Sequence, residues 1–426
     1  MIIHSASQLL TLKGGARRGT DLADLAIIED GAVAIEGDTI IAVGPTEEIT
    51  ADFPDDLQIS ASGCAVMPGL VDPHTHLVWA GERAAEFEMR IQGITYMEIM
   101  EAGGGILGTV NDTRNASLDE LVQQTQARAL CLFASGVTTA EVKSGYGLDT
   151  VTELRQLEAI YRLNETIPME MVPTFLGAHA VPPEYNGDIE GYTRLVCEEM
   201  LPAVQVWYQQ HFEPLPFVDV FCEAGVFNLA QTSQILTEAQ SMGFPLKVHA
   251  DEFENLGAAG VAIDLGAASV DHLVKTSQQE IQQLANSETI AVALPCTPFG
   301  LADSHYTPAR QIIEAGGLLA VATDSNPGPA WCESMQFVIA LSCRYLRLTP
   351  AEAVAAATIN AAAAIQREGR IGSLEPGKQA DLLILEVDDY RHLGYRFGGN
   401  LVKTIIKKGI QYFPGTMRRG DEKKYQ

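Results

Sequence analysis

Eight short apolar runs alternate with helix-patterned stretches between residues 65 and 324: AVMPGLVD (65–72), VTTAEVK (137–143), MEMVPTFL (169–176), FVDVFCE (217–223), PLKVHAD (245–251), AASVDHL (267–273), TIAVALP (289–295) and LLAVATD (318–324). Strands that alternate with helices form a parallel α/β sheet, and eight is the number that closes into a (β/α)8 barrel. Such a barrel collects the carboxyl ends of its strands on one face, where active sites of the fold lie. The reactive side chains of this sequence sit at those ends. His74 and His76 follow the first run, Tyr146 the second and His179 the third; Glu223 closes the fourth; His249 and His272 lie in the fifth and sixth, and Asp324 ends the eighth. Residues far apart in sequence are therefore expected around one pocket.

The flanks have a different texture. Residues 25–45, LAIIEDGAVAIEGDTIIAVGP, are β-branched runs punctuated by Asp-Gly and Gly-Asp turn signals, and IGSLEPGKQADLLILEV and LVKTIIKKG repeat that texture after residue 370. The expected organisation is a distorted (β/α)8 TIM-like barrel over residues 67–366, with a small β-sandwich domain built from both chain ends, 1–66 and 367–426.

With 28 Lys+Arg against 55 Asp+Glu the formal net charge is −27, the wrong sign for a nucleic-acid surface, so no nucleic-acid partner is expected. The seven cysteines are scattered, with no Cys-x-x-Cys pair, as expected of buried thiols in a reducing, cytoplasmic setting. No run of eighteen apolar residues marks a membrane span. The alanine-rich stretch 351–364 is opened by Thr349-Pro350-Ala351-Glu352, a capping box with proline at the first helical position, and reads as a packed helix.

In Asp72-Pro73-His74-Thr75-His76 two imidazoles stand two positions apart, which places both on the same face of an extended strand, able to share a metal. Neutral imidazole suits zinc or iron, and His249 and Asp324 complete a ligand set that leaves room for water. A His-x-His pair on its own reads as two loop residues; the recurrence of histidine and carboxylate at equivalent strand ends favours the metal. GGGILG (103–108) satisfies G-x-G-x-x-G but follows a helix-patterned stretch, so it reads as a loop and not a dinucleotide site. Phosphate-loop, H-E-x-x-H and G-x-S-x-G motifs do not occur.

The set PGLVDPHTH, KVHADE, SVDHL and VATD resembles the amidohydrolase superfamily of metal-dependent barrels. Longer stretches, among them VWAGERAAEFEMRIQGITYMEIMEAGGGI, KSGYGLD, FLGAHAVPPEY, DVFCEAGVF, HADEF and DSNPG, resemble the branch that opens a cyclic amide in histidine degradation. The resemblance, which spans nearly the whole chain, implies hydrolysis of 4-imidazolone-5-propanoate to N-formimidoyl-L-glutamate by a homodimer. It implies one ion, zinc before iron, since Glu223 stands where binuclear relatives carry a bridging lysine. Asp324 is then both ligand and proton acceptor, His272 orients water or polarises the carbonyl, and Glu252 contacts ring nitrogens or relays a proton. Arg83 is the counter-ion of the propanoate; Tyr96, Tyr146 and His179 add polar contacts, and Asn326 and Gly328 contact the product. Lys143 is expected to be structural or near the substrate. Pro329, Cys296 and Ser325 depart from the usual wording of the branch, which points to a reshaped pocket and a neighbouring substrate. HADE with a lone metal would also serve a related enzyme deaminating a heterocyclic base, and a catalytically silent metal-binding scaffold is the alternative of another class. His4, His211, His305 and His392 receive no role.

Overall fold

The computed structural model describes residues 1–94, 104–211 and 213–416. Eight parallel strands follow one another around the barrel in chain order: β6 (Leu70–Thr75), β7 (Val137–Lys143), β8 (Glu170–Ala178), β9 (Phe217–Cys222), β10 (Lys247–Ala250), β11 (Ser269–His272), β12 (Ile290–Ala293) and β13 (Leu319–Val321). Closure falls between the last strand and the first. Thr75 and Ser325 form a parallel bridge. His76 N donates to Ser325 O (2.9 Å), and Asp324 N to His74 O (3.1 Å). The buried carboxylate of Asp72 adds a side-chain tie, accepting from Thr323 N (3.1 Å) and Thr323 Oγ1 (2.5 Å).

Each run expected as a barrel strand contains one, with a difference at the first. AVMPGLVD is two strands: β5 (Ala65–Pro68) belongs to the other sheet, and β6 begins after Gly69. Glycine is required at the crossing, because a Cβ there would lie 2.2 Å from Thr138 Oγ1. The other sheet has eight mixed strands, including β1 (Ile2–Leu10), β2 (Ile27–Glu36), β3 (Thr39–Pro45) and β4 (Gln58–Ser60) from one end. From the other end come β14 (Leu382–Leu385), β15 (Val402–Lys407) and β16 (Ile410–Tyr412). Of the two turn signals near its start, Gly37-Asp38 turns the chain between β2 and β3, whereas Asp30-Gly31 stays inside β2. Gly31 is there for packing: its Cβ would fall 2.5 Å from Leu9 Cβ.

Three of the helices between barrel strands start on capping boxes, Ser117 with Glu120, Asn228 with Gln231 and Ser277 with Glu280, and so does, as expected, the helix after the last strand, Thr349 with Glu352. The last of these covers Pro350–Ala356, and a second helix, Ile359–Ala364, follows a break at Thr358. The latter half of the glycine-rich stretch expected as a loop is helical, since Gly105, at φ +73°, caps a helix over Ile106–Asn115. None of the described helices is long and apolar enough to cross a membrane.

Candidate metal centre and its pocket

Residues two apart on a strand share a face, so the barrel interior is stacked in layers. Asp72 lies below His74, Glu141 below Lys143, Lys247 below His249 and Ser269 below Asp271; all eight are buried. Above these layers a cavity of about 580 Å³ opens at the carboxyl face, lined among others by His76, His249, His272 and Asp324.

At its floor the expected ligands meet. Nε2 of His76 lies 3.3 Å from Nε2 of His74 and 3.4 Å from Nε2 of His249. Asp324 Oδ1 lies 3.5 Å from His74 Nε2 and 3.4 Å from His76 Nε2. Bonds of about 2.0–2.2 Å to a four-coordinate ion span ligand–ligand edges of about 3.3–3.6 Å, which these separations match. Protons do not account for the cluster. Burial, with Lys143 and the neighbouring imidazoles adding to it, pulls His74 well below the ordinary histidine range, and burial with His249 and Lys143 does the same to His76. Asp324 Oδ1 is buried and accepts no hydrogen bond from any described residue. Neutral imidazole lone pairs and a carboxylate oxygen facing one point fit a cation.

The ligands are held from behind. His74 Nδ1 donates to Asp271 Oδ2 (2.6 Å), which places its ring proton on Nδ1 and leaves Nε2 free to ligate, while His249 Nδ1 lies 2.9 Å from Asp219 Oδ2, an electrostatic contact outside hydrogen-bond geometry. The other oxygen of Asp324 accepts from Thr297 Oγ1. Two of the strand-end residues have left-handed backbones, His272 at φ +78° and Asp324 at φ +53°. Non-glycine residues there cost of order 1–3 kcal/mol each, a strain concentrated where side chains must turn into the pocket.

The remaining expected residues surround the same cavity. His272 Nε2 lies 3.6 Å from Glu252 Oε2. Burial drives His272 down to about 3, and burial, then Asp324 and Glu223, holds the Glu252 carboxyl well above its usual range. His179 stacks on His76 with centroids 5.0 Å apart and donates from Nδ1 to Gly145 O (3.0 Å), which directs Nε2 elsewhere. Arg83 and Tyr146 line the wall. Arg83 Nε donates to Thr109 Oγ1 (2.8 Å), and a Cβ at Gly328 would come within 3.3 Å of Arg83 Nη1, so glycine there leaves space for the guanidinium. Asn326 turns inward, its amide accepting from Gly328 N (2.8 Å) and donating to Asp324 O (2.7 Å). Tyr96 lies outside the described residues.

Two loops are clamped by buried glutamates. Glu153 accepts from the backbone N–H groups of Gly145, Gly147 and Leu148 at 2.8–2.9 Å and so shapes the turn that carries Tyr146. Glu223 accepts from Ala224 N (2.8 Å), Phe253 N (2.9 Å) and Glu254 N (3.1 Å), which pins the loop bearing Glu252. Lys143 does not reach the cavity; it is fully buried below it. Asp219, Asp271, Thr297 and Glu153 went unnoticed in the sequence. For Asp219 a signal existed: it lies four residues before Glu223, the even spacing of one strand face.

An eight-stranded parallel barrel with three imidazoles and a carboxylate at its carboxyl mouth is an architecture of metal-dependent hydrolases. The profile of the Amidohydrolase family matches residues 65–411, and that of the bacterial Imidazolonepropionase-like composite domain matches residues 31–55. The curated relatives include imidazolonepropionases from Herpetosiphon aurantiacus, 53% identical with 96% of each chain covered, and Chloroflexus aggregans, 51% identical with 96% of this chain and 97% of that one covered. The chain belongs to the amidohydrolase family and, within it, to the imidazolonepropionases. The fold is also that of E. coli guanine deaminase, with a TM-score of 0.72 at 15% identity over 97% of this chain and 98% of that one.

Proposed function

We propose that this chain hydrolyses the ring amide of 4-imidazolone-5-propanoate to N-formimidoyl-L-glutamate, with His74, His76, His249 and Asp324 as ligands of one divalent or trivalent ion, zinc before iron. Water adds its oxygen to the ring carbonyl carbon, the amide C–N bond breaks, and the departing nitrogen takes a proton. When bound, the ion supplies Lewis acidity that brings water within reach of deprotonation at neutral pH.

The chain's own side chains divide the remaining work. Asp324 faces the water position and accepts its proton. His272, neutral at physiological pH, orients water or polarises the ring carbonyl. Glu252, its carboxyl held by burial well above the usual carboxylate range and its Oε2 3.6 Å from His272 Nε2, is placed to give a proton to the departing nitrogen. Arg83 pairs with the propanoate, whose negative charge meets a protein of net charge −27 and needs a local cation. Tyr146 and His179 complete the polar wall, Tyr96 is retained as a further contact, and Asn326 and Gly328 frame the product. A cytoplasmic homodimer acting on this small molecule belongs to the same reading.

The observation that carries the reading is the meeting of three imidazole nitrogens and one carboxylate oxygen, with His76 Nε2 3.3–3.4 Å from those of His74 and His249 and Asp324 Oδ1 3.4–3.5 Å from those of His76 and His74, in a cavity that also holds an arginine. The test is the ultraviolet band of the imidazolone in the presence of purified protein, with metal measured on the same sample. Loss of the band in proportion to bound metal supports the reading. An unchanged band, alongside deamination of guanine- or cytosine-like rings, replaces it with a deaminase.

A further inference from the structure

Beneath the ligands lies a dry layer of five charged groups, three carboxylates (Glu141, Asp219, Asp271) and two ammonium groups (Lys143, Lys247), each no more than 1% exposed. Lys143 is at its centre. Its Nζ lies 2.7 Å from Glu141 Oε1, 2.8 Å from Asp219 Oδ2 and 4.0 Å from Asp271 Oδ2. The last two are the same oxygens that face Nδ1 of His249 and His74. Lys247 braces the second route, 3.5 Å from Asp271 Oδ2, and Ser269 Oγ donates to Asp271 Oδ1 (2.6 Å). Glu141 in turn accepts from Thr75 N (3.2 Å), between His74 and His76.

We infer that Lys143 is a positioning residue for the metal centre: one ammonium group, reaching two of the three imidazole ligands through Asp219 and Asp271, holds both rings with Nε2 toward the ion. Without it, three carboxylates would share one ammonium group in a space sealed from bulk solvent, a repulsive arrangement that relaxes by rotation of Asp219 and Asp271. That rotation releases the Nδ1 contact and with it the ring orientation. Groups that orient metal-bound histidines in this way change metal affinity by about 10–100-fold when replaced.

This inference rests on the metal-centre reading, and its test keeps the two apart. Zinc affinity is measured by competition with a chromophoric chelator for the wild type, Lys143→Met, Lys143→Gln, Asp219→Asn and the double variant Lys143→Met/Asp219→Asn. Circular dichroism checks each fold. Wild-type protein that binds no zinc defeats the metal reading itself. With zinc bound by the wild type, the expected result is a loss of affinity of about 10–100-fold in each single variant. The double variant should lose little more than the worse single one, because the residues act along one path. At saturating zinc, KM for the imidazolone should stay near the wild-type value, since no substrate contact is removed. Wild-type zinc affinity in either folded lysine variant, or additive losses in the double variant, overturns the inference. So does wild-type affinity in Asp219→Asn, which breaks the path even if neither lysine variant folds.

Discussion

Asp324 combines three properties at one position: a left-handed backbone, one oxygen held by Thr297, and the other facing imidazoles without a donor among the described residues. An asparagine keeps the shape and loses the charge. Asp324→Asn, or His272→Ala in the same cavity, is expected to lower kcat by about 10²–10⁴-fold while the circular dichroism spectrum is retained, as for groups that act on the proton in flight. A variant of either kind with near wild-type kcat would remove that residue from the chemistry. Arg83 is a different kind of residue, a binding group at the wall. Loss of a charge-assisted contact worth about 1.5–3 kcal/mol predicts that Arg83→Ala raises KM by about 10–100-fold with kcat little changed. Initial rates over a wide substrate range check this, and an unmoved KM contradicts the carboxylate pairing.

At the scale of elements, Asp72 ties the first barrel strand to the last through both of its oxygens, in a place where its charge is costly. Burial, opposed by its bonds from Thr323, pushes its pKa from 3.8 up to about 7. A carboxyl whose pKa is raised by folding favours the folded state only while it is protonated, so its contribution falls as pH climbs from about 4 to about 7. The wild type should therefore lose a few kcal/mol over that window that Asp72→Asn does not lose, as read from urea unfolding at several pH values. Parallel curves for the two proteins would contradict the assignment. The barrel was legible in the sequence because its strands are apolar, bounded by turns, and end in histidines and acids that stand out against that background. The charged layer below them was not, because Asp219 is the one polar residue in FVDVF and Lys143 shares EVK with Glu141 at a strand end, and only the alignment of neighbouring strands shows that they touch. The split at Gly69 was hidden for a related reason: the run is continuously apolar, and the clash with Thr138 that forces glycine comes from the next strand. Gly31 likewise looked like a turn residue because its partner, Leu9, approaches from another strand of the sheet.

For the whole molecule, the chain's acidity and its proposed anionic substrate make the local arginine and a bound cation matter more than they would in a neutral protein. The centre also joins strands from opposite sides of the barrel, β6 to β10 and to the segment after β13, so an ion held there binds the folded state alone. Removal of metal with a chelator should lower the melting temperature by several degrees and abolish hydrolysis, and stoichiometric zinc should restore both. An identical melting curve with and without chelator would argue against a ligand set that spans the barrel. The central claim is one ion shared by residues of distant strands, and anomalous diffraction at a metal edge from crystals of the loaded protein tests it most directly. The prediction is one peak per chain, about 2.0–2.2 Å from Nε2 of His74, His76 and His249 and from an oxygen of Asp324. A peak away from these four side chains, or no peak in protein that turns over the imidazolone, would contradict it.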